Sequence, residues 1–161
     1  MRYSVRHARM RGWIFAAAIV ALDQYTKKFF AGSLQPQDSL EILHFFNINL
    51  VYNRGISFGM LAGDAPWLPL FLIIATSVIV FLLILWMKRA KEQIIIISLG
   101  SIIGGAIGNI VDRVHYGFVI DFLDFHWGRY HWPAFNIADS AVFMGVVILI
   151  LMSIVRPETD L

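Results

Sequence analysis

Gly104-Gly105-Ala106-Ile107-Gly108-Asn109-Ile110-Val111-Asp112-Arg113 runs from an apolar, glycine-rich phase into a polar one. The chain then passes through His115-Tyr116-Gly117, reaches Asp121-Phe122, and returns at Phe135-Asn136-Ile137-Ala138-Asp139 to another long apolar run. Two hydrophobic segments therefore converge on one patch that holds Asp112, Asp121, Asp124 and Asp139, together with Arg113 and two asparagines. Carboxylates beside membrane-length segments are costly, and by default they mark a functional site.

Outside that patch the chain is equally apolar. Of its 161 residues 58% are hydrophobic and 15% charged, with a mean hydropathy of +0.69, more apolar surface than a soluble domain of this length could bury. The class is a membrane protein, one domain over residues 1–161. The absence of cysteine excludes a disulfide framework, a thiol nucleophile and thiolate metal sites. No basic patch with interleaved aromatics is present, so nucleic acid is not a partner.

Four spans are expected, at about 12–30, 66–87, 94–111 and 135–155, giving an all-α membrane protein of four transmembrane helices. The first follows a basic head of Arg2, Arg6, Arg9 and Arg11. This resembles a signal peptide. Its helical character continues through Asp23-Gln24-Tyr25-Thr26-Lys27, however, and a retained span is the reading. Pro66 to Met87 is 22 residues without a charge, about 33 Å of helix against a hydrocarbon core of about 30 Å. The third carries Gly100, Gly104 and Gly108 at four-residue spacing, a ladder for close helix packing.

Basic residues cluster before the first span, at Lys88, Arg89 and Lys91 between the second and third, and at Arg156 after the fourth. The positive-inside rule then puts both termini and the 88–93 turn in the cytoplasm. In the 31–65 connection, Ile42, Phe46, Ile48, Leu50 and Tyr52 share one parity, while Asn47, Asn49 and Asn53 share the other. That alternation predicts a small extracytoplasmic β-element at about 41–61, between the first and second helices, turning at Asn53-Arg54-Gly55 and returning through Ser57-Phe58-Gly59.

Counting inward from the cytoplasmic edge places Asp139 roughly 25 Å and Asp112 roughly 27 Å across, near the outer boundary, with Asp121 in the outer loop. Asp23 lies roughly 17 Å in, and Lys27 stands at i+4, the favourable order for a helical ion pair.

Two carboxylates that share a site cannot both ionise easily, so one becomes an acid beside a base at neutral pH. Such a dyad can hydrolyse a peptide without cysteine or metal. The rival readings are a transporter or proton relay lined by intramembrane acids, and a non-catalytic membrane scaffold. His115, His126 and His131 share the outer loop, but their spacing fits no familiar ligand set, and Trp127, Tyr130 and Trp132 among them suit an interfacial aromatic belt. No serine sits in a Gly-x-Ser-x-Gly context.

At these residues the chain resembles the lipoprotein signal peptidase (signal peptidase II) family of bacterial membrane aspartyl peptidases. Four ordered blocks carry the resemblance: Asp23-Gln24-Tyr25-Thr26-Lys27, Asn53-Arg54-Gly55-Ile56-Ser57-Phe58, Gly108-Asn109-Ile110-Val111-Asp112-Arg113 with Gly117-Phe118-Val119-Ile120-Asp121-Phe122, and Phe135-Asn136-Ile137-Ala138-Asp139. The resemblance implies Asp121 and Asp139 as the catalytic pair, and Asp112 in support beside Arg113. Asn109, Arg113 and Asn136 would orient the dyad or hold substrate backbone. Asn53, Arg54 and Gly55 would stand over the cleft, with Asp23 and Lys27 as supporting or substrate-contacting residues. It implies a lipidated prolipoprotein substrate cleaved before its diacylglyceryl-cysteine, at the outer face of the bacterial cytoplasmic (inner) membrane. Membrane lipids are the other expected partner; no metal, cofactor or obligate protein partner is expected.

Overall fold

The computed structural model describes residues 2–36, 38–55 and 66–155. Four helices and four strands follow in the order α1 (Arg2–Ser33), β1 (Ser39–Leu43), β2 (Phe46–Asn53), α2 (Leu68–Arg89), α3 (Gln93–Tyr116), β3 (Val119–Trp127), β4 (Tyr130–His131) and α4 (Ile137–Val155).

Local chemistry explains the ends. α2 begins with a proline in its first turn, where no intrahelical donor is lost, and ends on Lys88 and Arg89, which complement the helix dipole. α3 runs on to Tyr116, five residues beyond the expected span, and stops at Gly117. That glycine takes φ +76°, and its N–H caps the Arg113 carbonyl at 3.0 Å.

α2, α3 and α4 are each long and apolar enough to cross a membrane, with mean hydropathies of 3.0, 2.2 and 2.4. The apolar window of α3 is 61% buried, against 17% for α2 and 11% for α4. α3 is therefore the central post. The flanking helices present Leu70, Phe71, Ile74 and Phe81, and Phe143, Ile150 and Ile154, outward, the surface of a protein solvated by lipid. α1 is as long, but its 32 residues include the basic head and the charges of Asp23, Lys27 and Lys28.

The glycine ladder performs the packing expected of it. A Cβ on Gly104 would lie 2.6 Å from the Ala16 carbonyl oxygen, and one on Gly108 would lie 2.5 Å from Asp23 Oδ2. Gly100 meets the backbone of Gly12 in the same way. α1 thus lies against α3 nearly backbone to backbone. At one end of this pair Arg11 Nη1 donates to Gln93 Oε1 at 3.1 Å, and beside it Met87, Ile96, Leu99 and Ile103 form the apolar core.

The β-element differs from expectation in two ways. Residues 41–53 are not one strand but a hairpin turning at His44-Phe45, with Leu43 opposite Phe46. Asn53-Arg54-Gly55 ends β2, and the expected return through Ser57-Phe58-Gly59 lies outside the described residues. The second difference is larger. The 112–134 connection, expected as a polar loop, supplies β3 and β4, giving an antiparallel sheet of order β1-β2-β3-β4. The fold is therefore a helical bundle capped by a four-stranded sheet drawn from both long connections, not an all-α bundle with one local β-element. Asp121 and Asp124 break the apolar run of β3, which is otherwise rich in branched and aromatic residues that favour a strand.

A bulge decides where β2 presents its asparagines. Between Ile48 and Val51 the register against β3 shifts by one residue. Residues of one parity in β2 therefore serve both faces of β3. Asn49 meets Asp124 at 2.6 Å, and Asn53 meets Asp121 at 2.9 Å, although those aspartates point to opposite faces.

Candidate active site

The site lies where the C-terminal end of α3, the start of α4 and β3 meet. Asn136 immediately precedes α4, and its Oδ1 accepts from the Asp139 N–H at 2.9 Å. Its own N–H donates to Asp139 Oδ2 at 3.2 Å. This reciprocal pair is a capping box, so the local need to finish a helix fixes the Asp139 carboxylate.

With its oxygen spent on the cap, the Asn136 amide nitrogen donates to Asp121 Oδ1 at 2.7 Å, and also lies 3.2 Å from Asn109 Oδ1 and 3.3 Å from the Ile120 carbonyl. Asn109 Nδ2 in turn donates to Asp139 Oδ1 at 2.8 Å. On the other side, Gly55 N–H donates to Asn53 Oδ1 at 3.1 Å, an Asx turn that leaves Asn53 Nδ2 to meet Asp121 Oδ2. Each oxygen of Asp121 and of Asp139 thus accepts one hydrogen bond from a fixed amide.

Burial raises the Asp121 carboxyl from its ordinary 3.8 to about 7, the Asp139 charge adds to the rise, and the bonds from Asn53 and Asn136 oppose it. The two acids feel each other across a largely buried site, so near neutrality Asp121 exchanges its proton readily beside a second carboxylate.

Behind them is a wholly buried ion cluster. Lys27 Nζ lies 2.8 Å from Asp23 Oδ2 and 2.9 Å from Asp112 Oδ2, and donates to Asn109 Oδ1 at 2.9 Å. The expected Asp23–Lys27 pair is present, and Asp112 completes it. Asp112 does not pair with Arg113. It binds Lys27, Gln24 Nε2 at 2.8 Å and the Ile120 N–H at 3.1 Å. The buried face of α3 carries Asp112 into the bundle, whereas Arg113, one residue on, donates to the Asn109 carbonyl at 3.4 Å and holds its charge within electrostatic reach of Asp139 and Asp121. Arg54 is exposed just beyond β2. Gln24 is the residue that the sequence did not single out. Its signal is adjacency: one residue past Asp23, it reaches Asp112, and it also lies 3.3 Å from the Gly108 carbonyl.

Asp124 stands apart on the other face of β3, where His131 Nδ1 lies 2.9 Å from it. Among the described residues no three His, Cys, Asp or Glu side chains are arranged to hold a metal ion. Beside Asp139 a groove of about 680 Å³ is walled by Phe125, Trp132, Phe135, Phe143 and Met144. A carboxylate on the wall of an apolar groove, with a second acid beside it, can activate water against an apolar substrate.

The family model described as Signal peptidase (SPase) II matches residues 15–155. The chain belongs to the signal peptidase II family. The lipoprotein signal peptidase of Desulforapulum autotrophicum is 40% identical over 158 residues, covering 96% of this chain and 98% of that protein. Those of Francisella tularensis subsp. mediasiatica and a Janthinobacterium species are each 44% identical over 151 residues, covering 91% and 92% of this chain and 92% of either relative. Two solved bacterial membrane enzymes superpose with TM-scores of 0.81 and 0.79 at 30% and 32% identity. The first covers 94% of both chains, and the second covers 92% of this chain and 94% of its own. A signal peptidase II is an aspartic-type peptidase of the bacterial membrane, so its chemistry runs through carboxylates.

Proposed function

We propose that this signal peptidase II removes the leader from diacylglyceryl-modified prolipoproteins, cleaving before the lipidated cysteine, with Asp121 and Asp139 as the catalytic pair. The observation that carries the assignment is the bridge through Asn136, whose side chain holds Asp121 while its backbone holds Asp139. Of the four acids flagged by sequence, only these two share such a bridge among the described residues.

In the proposed cycle Asp139 takes a proton from a water held between the acids, and the resulting hydroxide adds to the scissile carbonyl carbon. Asp121 gives its proton to the carbonyl oxygen, forming a neutral tetrahedral diol. Collapse breaks the C–N bond: the proton on Asp139 passes to the leaving amine, and a hydroxyl proton returns to Asp121. The groove along Phe125, Phe135, Phe143 and Met144 offers apolar wall for a leader helix or acyl chains.

In this reading α1 is the fourth span. Asp23 and Lys27, near its middle, are buried against each other and, through Lys27, against Asp112 rather than facing lipid, and Lys28 is the exposed charge. Arg11 lies at the end where α3 starts, and the sheet lies at the opposite end. With basic residues facing the cytoplasm, the sheet and both acids stand on the outer side of the cytoplasmic membrane.

The test uses Asp121→Asn and Asp139→Asn separately, with a lipidated precursor followed on a gel. Each variant is expected to accumulate precursor; normal processing by either would exclude this pair. Reconstituted vesicles are expected to show no solute or proton flux dependent on Asp23 or Asp139, and such a flux would favour a transporter.

A further inference from the structure

We infer that Lys27 is a positioning residue for the peptidase reaction: it fixes which way the Asn109 amide faces, and so keeps a donor rather than an acceptor against Asp139. The inference rests on the reading that Asp139 belongs to the catalytic pair.

A side-chain amide keeps its shape when its oxygen and nitrogen exchange places, so packing alone cannot orient it. Its partners must. Asn109 lies between two partners of fixed and opposite character. On one side Lys27 is an ammonium, which only donates, 2.9 Å from Oδ1. On the other Asp139 Oδ1 accepts from Nδ2 at 2.8 Å. Turning the amide over would set N–H against ammonium and carbonyl against carboxylate, two repulsive contacts at once. Asn136 Nδ2 also addresses the same Asn109 oxygen, at 3.2 Å.

Lys27 can perform this task because it is itself immobilised. It is 1% exposed and clamped between Asp23 and Asp112. Those carboxylates are held in turn by the Ala138 N–H at 3.0 Å, and by Gln24 and the Ile120 N–H. A continuous set of fixed bonds therefore runs from α1 through α3 to the reacting end of α4. Lys27 lines no part of the apolar groove beside Asp139; its charge is felt by Asp139 and Asp121 at a distance, and its contact with the site is made through Asn109.

Removing Lys27 alone leaves two buried carboxylates facing each other and endangers the fold. The test therefore adds Lys27→Met/Asp23→Asn. This pair of changes keeps the cluster's net charge, leaves Asp112 on Gln24 and Ile120, and retains a carbonyl for the Ala138 N–H. Steady-state cleavage of a lipidated peptide is measured across pH in reconstituted enzyme, beside wild type and Asp139→Asn, with the unfolding transition of each variant as the check on folding.

For the double variant kcat is expected to fall on the order of 10- to 100-fold, as when other supporting contacts of a reactive group are removed. KM should stay within about threefold, since the change acts on the reacting group rather than on substrate binding. The acid limb of kcat/KM should move to higher pH, because a freed amide can present its carbonyl, which only a protonated Asp139 can meet. A folded double variant with wild-type kcat and an unmoved acid limb would overturn the inference. If Asp139→Asn stays active, the catalytic reading itself has failed; if it is inactive while the double variant is unaffected, only the role of Lys27 has.

Discussion

Asn136 donates its side-chain amide to Asp121 at 2.7 Å while its other atoms cap the helix that begins at the next residue. One residue thus does two separable jobs, and two substitutions divide them. Asn136→Ala removes both: it should cost about 1 kcal/mol of helix capping and lower kcat on the order of 100-fold, as loss of one fixed donor does elsewhere. Asn136→Ser keeps a capping oxygen but has no amide. Its melting temperature is expected near wild type and its cleavage rate near that of the alanine variant. A serine variant as active as wild type would show that the amide contributes nothing to the chemistry.

The pH dependence follows from Asp121. Its carboxyl is raised from 3.8 to about 7, by burial first and the Asp139 charge second. Losing its proton should end catalysis, so kcat/KM is expected to fall on the alkaline side with a limb near 7. Asn53 bonds the charged form and holds the value down. Asn53→Ala should therefore move that limb to higher pH, besides slowing the reaction. For stability the sign is that of a raised acid. Its contribution is full below about 4 and is lost as pH rises through about 7. Asp121→Asn should thus gain more in melting temperature over wild type at pH 8 than at pH 5.

The helices and the site were legible in the sequence to different depths. Hydropathy exposes α2 because Pro66 to Met87 has no charge to interrupt it, and the Asp23–Lys27 spacing announces its own ion pair. β3 was hidden by the same residues that make it useful. Asp121 and Asp124 mark a loop in a pattern of apolar alternation, yet both are buried in a strand because β2 brings an asparagine to each. The bulge that lets one parity of β2 do this leaves no mark in local propensity. Sequence adjacency sets Asp112 beside Arg113, while its partners Lys27 and Gln24 lie more than eighty residues away. Long-range pairing of that kind is set by how α1 packs on α3.

That packing is itself testable at Gly104. A methyl group there would lie 2.6 Å from the Ala16 carbonyl oxygen and 2.9 Å from its Cα, both backbone atoms that cannot move aside without moving α1. Gly104→Ala is expected to destabilise by about 1–3 kcal/mol, the range for overpacking a close contact. A lower unfolding temperature in detergent measures it. Lysine 27 and its partners ride on the same interface, so cleavage should fall with it. Gly32→Ala, where a Cβ meets nothing within 4 Å, should do neither.

Asp124 supplies the contrast that separates burial from catalysis. It is buried at 3% exposure, nearly as deep as Asp121, and sits only three residues further along β3. Its bonds run to Asn49 and His131 on the opposite face, a network that ties β2 and β4 to β3 and touches neither Asp121 nor Asp139. Asp124→Asn keeps the shape and one accepting oxygen. It should therefore lower thermal stability by about 1 kcal/mol, the worth of an ordinary buried hydrogen bond, and leave cleavage within about threefold. Asp121→Asn on the same strand should abolish cleavage while folding at least as well. Equal losses of activity from the two substitutions would mean that the carboxylates matter for holding the sheet, and the catalytic pair would then have to be sought elsewhere.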